Sequence, residues 1–179
     1  MQEEAGSEKF KGVDRRGISA KKVRHVNQYL TPLAAVIVVP GVLVAPLPTL
    51  AAVVAGALIL LSVTLNYVSI YLLKENARFI GRLRVTINYT VNIFLAWLLY
   101  STWPPVWLLL LLMAIGVAVY QSRRDSFVAG VAIALMLIAV HWNFGEHLLL
   151  AWMEVGVKAS MIILITLFVN GLMKVRPSA

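Results

Sequence analysis

The sequence predicts an all-α integral membrane protein whose six transmembrane helices form three hairpins, with both termini in the cytosol. Three observations predict it. Of the 179 residues, 60% are apolar and 13% charged, and the mean hydropathy is +0.84, a composition suited to lipid rather than water. The apolar residues fall into six runs of near-membrane length, divided by short breaks rich in proline, glycine or charge. Basic residues crowd into alternate breaks. The chain therefore reads as one transmembrane bundle, 26–174, between a flexible basic tail, 1–25, and a short tail, 175–179. It contains no cysteine, which excludes disulfides, thiolate zinc sites and iron–sulfur clusters and leaves the redox compartment open.

A span needs about 20 residues at 1.5 Å rise each. The tail MQEEAGSEKFKGVDRRGISAKKVRH is polar and mixed in charge, and its length argues for an uncleaved first helix rather than a signal peptide. The first run covers about Val26 to Ala45 and carries Pro40-Gly41, an expected kink. Pro46-Leu47-Pro48 allows only a tight helical hairpin, and the second run follows from Thr49 to about Leu73. KENARFIGRLR reads as a loop leading to the third run, about Val85 to Ser101. Thr102-Trp103-Pro104-Pro105 then stops one helix and starts the next, since a proline pair interrupts a helix it follows and suits the first turn of the one it opens. The fourth run ends at Tyr120, QSRRDS reads as a loop, and the fifth covers about Phe127 to Trp142. After the break NFGEH, the sixth goes from about Leu148 to Met173.

The basic residues set the orientation. Seven lie in the N-terminal tail, four between Lys74 and Arg84, two at Arg123-Arg124 and two at Lys174 and Arg176, leaving only Lys158 of the sixteen. The positive-inside rule assigns that face, and with it both termini, to the cytosol of a bacterial inner membrane. Trp103, Trp107, Trp142 and Trp152 fall near the opposite ends of spans, as an interfacial aromatic belt does. The charge excess is thus a topology signal, and no nucleic-acid partner is expected.

Polar residues inside spans are costly unless paired or wet, so they mark candidate sites. The stretch from His141 to Lys158 is the first. His147, Glu154 and Lys158 share one helical face, and Glu154 precedes Lys158 by four residues, the favourable order for an ion pair. With His141 and Glu146 from the preceding helix end and turn, five ionisable groups could converge at the outer mouth of one hairpin. Such groups exchange protons near neutral pH and ligate metals, so the reading is a small site for a proton, a cation or an anionic ligand. An interfacial ion pair with two hydrated histidines is the structural alternative. Whether a metal binds is left open.

A second cluster lies toward the basic side, where Asn66 and Tyr67 on the second helix, Asn88 and Asn92 on the third and Asn170 on the sixth occur at similar depths. Amides in hydrocarbon bond across helices at about 0.6 kcal/mol each, which makes this either interhelical packing or a polar path. The small-residue pairs Ala52/Gly56, Gly130/Ala134 and Gly156/Ser160 read as close-packing seams, within the bundle or between protomers.

No Gly-rich phosphate loop, HExxH or paired aspartates occur, nor does a serine beside a plausible base. An enzyme is therefore not expected, and neither is a cofactor. The linker ARFIGRLR, the helix start VTINYTVNIF, the turn STWPPVWLLLLL and the break VAVYQSRRDSFVAGVAIALML cover about Ala77 to Leu137. Together they resemble the central helices of the six-helix N-terminal membrane regions of bacterial sensor histidine kinases and nucleotide cyclases. Those regions feed a cytosolic helix into a catalytic domain. Here the sequence ends at Ala179, just after Arg176-Pro177, so output is expected to pass to a separate protein, or the sequence to be a fragment. The expectation is a non-catalytic sensory or scaffolding subunit that binds the bilayer and another membrane or cytosolic protein, with homo-oligomerisation left open. A small oligomeric transporter or channel is the alternative.

Overall fold

A computed structural model of the chain describes residues 20–72 and 77–174. Among these there are six α-helices and no strand: α1 (Ala20–Val44), α2 (Thr49–Leu72), α3 (Ala77–Leu99), α4 (Trp107–Tyr120), α5 (Arg123–Phe144) and α6 (Leu149–Lys174), with a single 3-10 turn, Pro104–Val106, leading into α4. Three helices are long and apolar enough to cross a membrane, at Thr49–Val68, Arg123–Phe144 and Leu149–Met173. The apolar stretches of the other three are shorter: Tyr29–Val44, Thr86–Leu99 and Pro104–Val119. Most of the expected tail 1–25, the segment 73–76 and the tail 175–179 lie outside the described residues.

Helix boundaries differ from the apolar runs wherever polar residues prolong a helix. Ala77–Arg84, read as part of a loop, is the first part of α3, and Ala20–His25, read as tail, begins α1. Likewise QSRRDS is not a loop, because only Gln121 and Ser122 leave the helix. The Ser122 hydroxyl accepts from the Asp125 N–H at 3.2 Å and caps α5, which starts at Arg123. A side-chain cap of this kind satisfies an orphan donor, and Asp125 in the first turn suits the helix dipole. At the other end α5 continues past Trp142 to Phe144.

The turns form as proline spacing dictates. At Pro46-Leu47-Pro48, Ala45 N–H bonds to Gly41 O at 2.9 Å and Ala52 N–H to Pro48 O at 3.0 Å. After α3, Thr102 and Trp103 N–H groups both turn back to Leu99 O. Helix α1 runs through Pro32 and Pro40 to Val44. Next to Pro40, Gly41 admits the Trp103 indole: a Cβ there would lie 2.7 Å from its Cγ and Cδ1, and Trp103 Nε1 donates to Ile37 O at 2.9 Å. Close approach is what this glycine provides.

Helix α4 is the hub. It packs against α1, α3, α5 and α6, whereas α2 leans on α1 and α3, and α6 on α5 and α4. Its side chains Leu109, Leu110, Met113, Ala114 and Ala118 are buried, together with Leu99, Leu137 and Ile162 from its neighbours. The shortest of the six helices is thus almost wholly enclosed by protein, while α2 carries exposed aliphatic side chains such as Leu50, Val53 and Leu60. Of the three small-residue pairs only Gly130/Ala134 is a seam within the bundle: both are buried, and a Cβ on Gly130 would sit 3.2 Å from Thr166 Oγ1. Gly56 and Gly156 face open space.

Candidate functional site

The bundle has a basic end, where Arg123 and Arg124 lie, and a far end formed by the turns at residues 45–48, 100–103 and 145–148. At the far end His141, in the last turn of α5, is buried at 4% exposure. Its Nδ1 lies 3.0 Å from the Tyr100 hydroxyl, a hydrogen bond that ties α5 to the end of α3. Its ring meets Trp152 of α6 edge-on, with centroids 4.7 Å apart. Its Nε2 is buried with no partner among the described residues. The ring also lies over Gly145, where a Cβ would collide with it. One imidazole therefore joins three helix ends, with half of its hydrogen-bonding capacity unused.

Glu154 and Lys158 form the expected ion pair one turn apart on α6, the carboxylate side chain 63% exposed and the lysine 18%. Lys158 Nζ lies 5.8 Å from the centroid of the Trp107 ring at the start of α4, a cation–π arrangement that offsets part of its desolvation. Glu154 is within electrostatic reach of Tyr100 and His141. Glu146 and His147 stay exposed in the turn, where the His147 ring faces Trp142 at 6.1 Å. Of the five expected groups, then, His141, Glu154 and Lys158 gather and the other two remain at the rim. Among the described residues no three His, Asp or Glu side chains are placed to hold one metal ion.

The second expected cluster divides in two. Asn66 and Asn88 exchange amide hydrogen bonds between α2 and α3, with Asn88 Nδ2 donating to Asn66 Oδ1 at 2.7 Å, and Ser62 donates to Asn88 Oδ1 at 2.9 Å. These three, with Thr31, Tyr89 and Asn92, line a half-enclosed cleft of about 90 Å³ between α1, α2, α3 and α4. Tyr67 points outward and is exposed. Asn170 belongs elsewhere: it is buried on α6, and its Nδ2 donates to Ala118 O at 2.8 Å, Gln121 O at 3.0 Å and Ser126 Oγ at 2.9 Å. That amide clamps the C-terminal end of α4, whose last carbonyls lack helical partners, onto α5 and α6.

Sequence reasoning did not single out Tyr100, Ser62, Ser126 or the role of Gly145. Ser62 had a legible signal, being four residues before Asn66 and so on its face. Tyr100 could have been found by the same depth matching that grouped the asparagines, because it ends one span as His141 ends another. Ser126 and Gly145 depend on register between helices. No protein-family model matches the chain, and neither a curated protein nor a solved structure matches it.

Proposed function

We propose that the chain is a non-catalytic sensory or scaffolding subunit of a bacterial cytoplasmic membrane, crossing it six times with both termini in the cytosol and acting through a partner protein. The orientation rests on the confinement of all basic residues but Lys158 to alternate breaks. Three apolar stretches fall below the usual span length, and the packing accounts for this. Helix α4 is enclosed by its neighbours, so its ends need not reach lipid headgroups. The sequence at the starts of α1 and α3 carries Lys and Arg, residue types that extend the reach of a short apolar stretch to the headgroups.

The observation that carries the reading is His141, buried where α3, α5 and α6 meet, with Nδ1 engaged by Tyr100 and Nε2 unpartnered beside the Glu154–Lys158 pair. Loss of the Tyr100 partner at Nδ1, or a ligand at Nε2, changes which helix ends this ring holds together. Helix α6 links the two ends of the bundle, since Trp152 touches His141 and Asn170 grips the end of α4. A shift at the far end therefore reaches the basic end as altered packing, a two-state element biased by proton or ligand.

Purification of the full chain from its native membrane in mild detergent, with mass spectrometry of what accompanies it, tests the reading. A stoichiometric larger protein is the expected result, with its association or activity altered by His141→Gln and by Glu154→Ala with Lys158→Ala. A chain that emerges alone, or variants that leave association and activity unchanged, would overturn it. The transporter reading has the polar cleft in its favour. Lys158 is not among the cleft's lining residues, and flux in proteoliposomes separates the two readings: a pathway conducts alone.

A further inference from the structure

The cleft between α1, α2, α3 and α4 is distinct from the His141 cluster and is not used by the reading above. At 1.5 Å per residue Asn92 lies roughly 10 Å below the far end of α3, and Asn66 roughly 25 Å below the start of α2. Polar groups at that depth need partners, because hydrocarbon offers none. Ser62, Asn66 and Asn88 supply one another. Asn92 does not share in this: it lines the cleft, half-buried, and makes no hydrogen bond among the described residues. An amide brings two donors and an acceptor, so the cleft presents an unused polar site within the bundle.

The lining also states what would fit. It contains hydroxyls, amides and aliphatic groups and no charged side chain. A phosphate or carboxylate would enter without a counter-charge, which a low-dielectric site penalises heavily. At about 90 Å³ the space is smaller than a cavity of about 150 Å³ that holds benzene. Only a head of a few heavy atoms can enter, and the rest of its molecule must lie outside. The outward faces of α1 and α2 are aliphatic there, with Leu33, Val36, Leu60 and Leu61 exposed, a surface for acyl chains.

We propose that this cleft binds the uncharged, hydroxyl-bearing head of a neutral lipid, with Asn92 as its main hydrogen-bonding contact. The full chain in nanodiscs, exposed to a diacylglycerol carrying a photoactivatable diazirine beside its glycerol, provides the test, with labelled peptides mapped by mass spectrometry. Saturable labelling of the α1–α4 peptides around the cleft is expected, competed by unlabelled dioleoylglycerol and not by dioleoylphosphatidylglycerol or by glycerol. Asn92→Leu, which keeps the volume and breaks no bond within the protein, should lower it about fivefold, the effect of one lost hydrogen bond. Ala35→Leu, filling the cleft from α1, should abolish it and serves if Asn92→Leu is not monodisperse. Labelling that does not saturate, that the anionic lipid competes equally, or that both variants retain overturns the proposal. Competition by glycerol alone would replace the lipid with a free polyol and overturn it likewise.

Discussion

His141 shows how much of a site can depend on residues with no chemistry of their own. Its ring occupies the space over Gly145 because that residue has no side chain. Gly145 lies at φ −88 and ψ 169, a backbone any residue accepts, so the requirement is steric. Gly145→Ala should destabilise the protein by about 1–3 kcal/mol through overpacking, seen as a lower midpoint in denaturant unfolding in detergent. Gly56→Ala is the control: a Cβ there meets nothing, and alanine in a helix interior should be neutral or stabilise by up to about 1 kcal/mol. Equal effects at the two glycines would contradict the packing described. The hydroxyl of Tyr100 is tested by a double-mutant cycle. Tyr100→Phe and His141→Phe should each cost about 1 kcal/mol, and the double variant less than their sum, because both remove the same bond. Strict additivity would mean that no such bond exists.

At the scale of elements, the two polar clusters do different work although the sequence presents them alike. Asn170 Nδ2 donates to acceptors on α4, α5 and the turn between them, so Asn170→Leu should cost about 1–3 kcal/mol through the lost buried hydrogen bonds. Asn92→Leu, by contrast, should leave the unfolding midpoint nearly unchanged. Ser122→Ala should remove the cap of α5 at about 1 kcal/mol, again read from the midpoint. A single sequence could not separate the two asparagines. It showed which side chains share a helical face, as with Glu154 and Lys158, whose pairing needs no second helix and was legible. Cross-helix partners depend on the rotation and offset of each helix, and these follow from packing: Gly130 against Thr166, or Trp103 against Gly41. Helix number and the two proline turns were legible because proline and apolar runs act locally. Helix starts were misjudged because hydropathy reports where lipid-like residues begin, whereas the helices at Ala77 and Arg123 begin in polar sequence.

For the whole molecule, the asymmetry between a basic end and a far end is an electrostatic statement that makes a geometric prediction. If the basic excess orients the bundle, Leu47, Thr102 and Glu146 lie on the outer side, and Gln121 and Ser122 on the cytosolic side. The chain contains no cysteine, so single cysteines at these positions report their own exposure without background. Thr102 and Glu146 belong to turns of the far end, and Glu146 and Ser122 are exposed, which makes both thiols reachable from water on their own sides. In intact cells a membrane-impermeant maleimide should label Leu47→Cys, Thr102→Cys and Glu146→Cys, while Ser122→Cys should react only after permeabilisation. The pattern decides more than orientation. Thr102 and Ser122 flank α4, the shortest helix and the one most enclosed by its neighbours. Labelling of both from the same side would mean that α4 does not cross, leaving an uneven number of spans and placing the two termini on opposite faces. Labelling from opposite sides requires the bilayer to be bridged through α4 and its 3-10 extension, about 27 Å of helix at 1.5 Å for each α-helical and 2.0 Å for each 3-10 residue. That approaches the hydrocarbon thickness of about 30 Å, and the surrounding helices, rather than α4 alone, would meet the lipid.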